Sequence, residues 1–132
     1  MTDFRTLALT WRPNQFLVLP PGYAANAKPH RISPVFAASA DDLLAAVKSV
    51  ALAEPRTTLH GEERAVRRIE LIQRSKLFGF PDFITVEAVP AAAGGSALAI
   101  YGRAKYGIRD FGVNRARIER WLAALGRKIP AV

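Results

Sequence analysis

The chain has 132 residues, half of them hydrophobic, and a formal charge of +8 from 19 Lys and Arg against 11 Asp and Glu. That length and apolar share suit one domain with a real core and exclude wholesale disorder. With no cysteine, disulfide scaffolds, thiolate zinc sites and cysteine nucleophiles are excluded as well. No stretch approaches the roughly 20 apolar residues that span a bilayer. The polar start, with Asp3, Arg5 and Arg12, does not resemble a signal peptide, so the expectation is a soluble, cytoplasmic protein. The basic balance favours an anionic partner: nucleic acid, a membrane surface, or a phosphate or carboxylate ligand.

Residues 1–34 read as an extended arm that wraps an α+β core over 35–132. Phe16 to Leu19 is a short β-prone run stopped by Pro20-Pro21-Gly22, since proline lacks the donor that a ladder needs. Trp11, Phe16, Leu17 and Tyr23 are the arm's expected anchors. Val35-Phe36 suggests an edge strand. Ser39 followed by Asp41 and Asp42 marks a helix start, and Leu43, Leu44, Val47, Val50 and Ala51 continue at helical spacing to Ala53, before Pro55.

A strand-rich block follows. Arg56 to His60 is β-prone, and Glu62 and Glu63 are expected in a turn after Gly61. Val66 to Leu77 alternates with Ile69, Leu71 and Gln73 on one face, as in a half-buried strand, although a helical period also fits. Phe78 to Asp82 is a turn, Phe83 to Val89 a strand, Pro90 to Gly95 a loop, and Ser96 to Lys105 the last strand, with Tyr101, Arg103 and Lys105 on one side. After the Gly107–Gly112 loop a closing helix is expected near Asn114 as cap. Its apolar stripe is Ile118, Trp121, Leu122 and Leu125, and Gly126 is its expected terminator. The sum is one domain with an antiparallel sheet of about four strands covered by two helices.

The run GRAKYGIRDFGVNRARIERWLAAL resembles the signature of the family called domain of unknown function 1499, bacterial and plastid proteins without an assigned role. Members typically carry Ser-Arg-Ser-Arg, a hydrophobe, Gly, a Ser-Asp pair, Gly-Val-Asn-Arg and a closing Arg-Ile helix. Gly102-Arg103-Ala104-Lys105 replaces the first segment here, and Arg109-Asp110 stands where Ser-Asp is usual. Phe111 to Arg115 and Arg117-Ile118 match; Arg12-Pro13-Asn14, Gln73-Arg74-Ser75 and Phe80-Pro81-Asp82 are similar too. The resemblance spans about residues 12 to 125 and implies no activity.

The chemistry concentrates in a basic cluster: Arg74, Lys76, Arg103, Lys105, Arg109, Arg115 and Arg117. Guanidinium forks suit phosphate and carboxylate, and a helix opened by Asn114 would offer amides and dipole to the same anion. The anion-binding candidates are therefore Arg74, Arg103, Lys105, Arg109, Asn114 and Arg115. Against them stands a structural reading in which Asp82 and Asp110 pair with these arginines and, with Gly112, pin the loop. The catalytic signals are weak. His30 and His60 are isolated, and no metal spacing, nucleophile elbow, P-loop or dinucleotide fingerprint occurs. The expectation is a non-catalytic anion-binding domain without cofactor or metal. The alternatives are nucleic-acid binding, through Tyr101 and Tyr106 interleaved with Arg103 and Lys105, or an apolar-ligand cavity between sheet and closing helix.

Overall fold

In a computed structural model that describes residues 1–132, the strongest patterns build the centre. Ile84, Val86 and Ala88 alternate along β5 (Pro81–Pro90), and Leu98 and Ile100 along β6 (Ser96–Ala104). These side chains share one face and are buried, because period-two alternation directs them there. The hairpin between the strands turns through Gly94 and Gly95, with φ of 103° and 75°. At Gly95 a Cβ would come within 2.4 Å of the Phe36 carbonyl oxygen, so only glycine fits. β4 (Arg68–Arg74) and β3 (Thr57–Glu63) extend the antiparallel run.

Two helices cover that face. α1 (Ala40–Leu52) starts where Ser39 accepts a hydrogen bond from the Asp42 amide at 3.1 Å. α2 (Val113–Lys128) lays Ile118, Trp121, Leu122 and Leu125 onto the sheet. The main core gathers these with Leu43, Val47 and Ala51 of α1. Each Leu, Ile or Val among them contributes about 1.5–3 kcal/mol when fully buried.

The arm is more than a wrapping. Its β1 (Gln15–Leu19) pairs antiparallel with β6 and in parallel with β2 (Arg31–Ile32). The sheet is therefore six-stranded and mixed, in the order β2-β1-β6-β5-β4-β3, where about four antiparallel strands were expected. The reason lies in Phe16-Leu17-Val18-Leu19. Phe16 and Val18 face the helices, while Leu17 and Leu19 join a second core with Phe4, Ala99 and Tyr101. A strand covered on both faces reads as an unbroken apolar run.

Further expectations are corrected locally. Trp11 is 76 % exposed and anchors nothing, whereas Phe4 is wholly buried. Phe36 forms isolated bridges to Ser96 and Ala131 rather than an edge strand. Glu62 and Glu63 lie in β3 after a bulge between Leu59 and Gly61, and the turn is the single 3₁₀ turn Arg64–Val66 with Arg67 left-handed. Gly61 marks the bulge, not the reversal. Gly126 lies inside α2, whose last turn is held by Ile129 packing on the core. No helix is long and apolar enough to cross a membrane.

Candidate functional site

The register brings five strand ends and two loops together. Thr57 pairs with Gln73, Gln73 with Asp82, Asp82 with Ala104, and Arg103 with Gln15. The loops 75–80 and 105–112 leave the sheet at this same end. On the helix-covered face the row Thr57, Gln73 and Asp82 is polar, and the first turns of α2 lie on it.

Arg117 is the hub of that row. Its side chain is 4 % exposed, and each guanidinium nitrogen has a different partner. Nε donates to Gln73 Oε1 at 2.7 Å, Nη1 to Asn114 Oδ1 at 2.8 Å, and Nη2 to Asp82 Oδ2 at 2.9 Å. Gln73 in turn donates to Thr57 and to Glu54, and Glu54 accepts both arms of Arg120 at 2.8 Å. Those hydrogen bonds, from Arg120 above all, hold the Glu54 carboxyl below its ordinary range despite burial. Asp82 moves the other way: burial pushes its carboxyl up, outweighing the pull of Arg117, and the Asp110 charge adds to the rise. A buried charge is tolerated only when every partner is in place, which this arrangement supplies.

Asn114 is wholly buried and lies inside α2; the residue preceding the helix is Gly112, at φ 79°. The amides at the helix start go to Asp110, which accepts from the Gly112 amide at 2.9 Å and from the Asn114 amide at 3.2 Å. The carboxylate takes the place that an external anion was expected to fill. The Asn114 side chain donates to Asp110 and to the Asn14 carbonyl and accepts from Arg117. Gly102 makes room for it: a Cβ there would come within 2.5 Å of Asn114 Oδ1.

The predicted cations lie around this floor on different sides. Arg74 and Arg109 share a cleft of about 430 Å³ with Arg56, Phe80, Asp82 and Arg117. Arg103 and Lys105 line a second with Arg12 and Trp11, about 310 Å³. Arg115 faces a third, about 560 Å³, with Gln15, His30 and Arg31. Arg103 and Lys105 lie over the Phe83 ring, at 5.3 and 5.9 Å. Tyr101 is buried and donates to Gln15 Oε1 at 2.6 Å, while Tyr106 is exposed. The nucleic-acid alternative therefore retains one exposed tyrosine of its two. The space between sheet and α2, considered above for an apolar ligand, holds the side chains of the main core.

Sequence reasoning missed Asn14, Gln73 and Glu54 as parts of the network and placed Arg117 among the surface cations. Two signals pointed to them. A glycine inside a strand marks a close approach, and Asn114 and Arg117 precede Ile118 and Trp121 on the apolar side of the helical period. No group of three or more His, Asp or Glu side chains is placed to hold a metal ion.

The family model described as "Protein of unknown function (DUF1499)" matches residues 9–125. No curated protein and no solved structure matches the chain.

Proposed function

The chain belongs to the DUF1499 family, and we propose that it is a non-catalytic binding domain that recognises an anionic partner at the loop end of its sheet. One observation carries the reading. Arg74, Arg103, Lys105, Arg109 and Arg115 have no carboxylate within salt-bridge distance, while Lys48, Arg67 and Arg68 towards the opposite end of the sheet are paired. The local acids are committed inward: Asp82 to Arg117, and Asp110 to the start of α2. Positive charge without internal partners gathers where five strand ends meet, and such a field attracts anions. The cleft holding Arg74 and Arg109 is its centre, since a guanidinium at the end of β4, held on one side by the Gly79 carbonyl, and another on the facing loop suit phosphate or carboxylate oxygens.

The test is thermal stabilisation by inorganic polyphosphate and by heparin, at low and high salt. The expected result is a shift that shrinks with salt and falls in Arg74→Ala/Arg109→Ala. No shift with either polyanion overturns the reading, as does a shift that the double variant leaves unchanged.

A further inference from the structure

The same end of the molecule carries an apolar surface that the fold does not use. Phe111 is 92 % exposed, Leu77 81 % and Phe78 69 %; Phe80, Tyr106 and Ile108 are each at least half exposed. All six lie on the two loops that flank the cleft. The rings cohere: Phe78 stacks on Phe80 at 5.4 Å, and Phe80 meets Tyr106 edge-on at 5.8 Å. An exposed apolar cluster of this kind marks an interaction surface.

Phe111 carries a second signal. Its φ is 54°, and Gly112 after it is left-handed too. A bulky residue is rare in that region, where Asn or Gly is at ease. Nothing inside the molecule compensates the ring for this conformation, because it packs on nothing. Strain held without an internal return points to an external use.

Resting on the anion-binding reading, we infer that this end docks on a membrane surface rich in anionic phospholipid. Phe111, Phe78 and Leu77 enter the headgroup boundary, and Arg74, Lys76 and Arg109 meet lipid phosphates. Charge chooses the occupant. Asp110 is the only carboxylate in loops 75–80 and 105–112, and its oxygens serve the start of α2. A second copy would oppose cation to cation. Bases need separate aromatic platforms, whereas Phe78 and Phe80 are stacked on each other. Aromatic side chains rimmed by Lys and Arg match the bilayer interface, where rings sit at headgroup level and cations gain from anionic lipid.

Trp11, exposed on the same end, is a built-in reporter, and the other tryptophan, Trp121, is wholly buried. The experiment measures binding to phosphatidylcholine vesicles with and without phosphatidylglycerol, by co-sedimentation and by Trp11 emission, beside heparin binding. The full chain is compared with Phe111→Asn/Phe78→Ser and with Lys76→Ala/Arg109→Ala. Wild type is expected to bind only the anionic vesicles, with a blue shift. The aromatic variant loses about tenfold or more in vesicle partitioning while keeping heparin binding and losing no thermal stability. The charge variant loses about thirtyfold, from about 1 kcal/mol per cation. Heparin binding without vesicle binding overturns the membrane inference and leaves the anion reading standing; so does vesicle binding that the aromatic variant retains in full. Single-stranded nucleic acid that binds at physiological salt and displaces vesicles overturns it in favour of the nucleic-acid reading. Binding to neither heparin nor vesicles overturns both.

Discussion

Arg117 and Arg109 belong to one short stretch and have opposite surroundings. Arg117 is enclosed, with a partner on every guanidinium nitrogen. Arg109 is exposed on the loop above and has no carboxylate partner. The floor of the cleft spends its polar groups on one another, whereas the Arg109 guanidinium on the crest donates to no protein group. Charge alone therefore does not mark a working residue; a charge matters to a partner only when the fold has not already used it.

The largest break in this contrast comes from the floor. Arg117→Ala leaves Asp82 buried without its cation and is expected to cost about 3–5 kcal/mol, read from urea denaturation. A loss below about 1 kcal/mol would mean that the network is not structural. Gly102→Ala comes next. It drives a methyl into Asn114 and costs about 1–3 kcal/mol. With Asn114→Ala added, the total loss is smaller than the sum of the two single losses, since the two residues share one space.

Much of this was legible beforehand, and the omissions have a common cause. The stripe Ile118, Trp121, Leu122 and Leu125, the Ser39 cap and the β5–β6 alternation are local patterns, and they produced the elements found. The seat of β1 beside β6 depends on pairing across the whole chain. So does the Gln73–Arg117–Asp82 contact, which needs the β4–β5 register and the position of α2 together. Asn114 looked like a cap because its residue type is a good one; Gly112 and Asp110 do that work instead.

Acid sharpens the comparison within the floor. Glu54 titrates below its ordinary value of 4.5 in the fold, so its contribution is present above that pH and is lost as pH falls through the lowered value. Asp82 titrates above 3.8, so its contribution is greatest in acid and declines as pH rises through the raised value. Stability measured against pH is therefore expected to lose less in acid for Glu54→Gln than for wild type, and to fall more steeply in acid for Asp82→Asn. Parallel curves for all three proteins would refute the assignment.

The smallest stability effects belong to the crest. Arg109→Ala stays within about 0.5 kcal/mol of wild type. Phe111→Asn is expected to gain up to about 1 kcal/mol by relaxing the left-handed residue, measured by thermal melting. A clear loss at either position would show that the crest is part of the scaffold after all.

The place of β1 carries a different consequence. Without it, β6 would be a sheet edge, and from Ser96 to Gly102 that strand is buried throughout. Such an edge, unpaired and apolar on both sides, is a template for aggregation. Its cover comes from the far end of the chain: Gln15 meets Tyr101 across 86 residues of sequence. Closing so long a loop is slow relative to forming the hairpin of β5 and β6. During folding the β5–β6 hairpin is thus complete before β1 is seated, and residues 1–19, which look like an appendage, cover an edge that would otherwise be open to another chain.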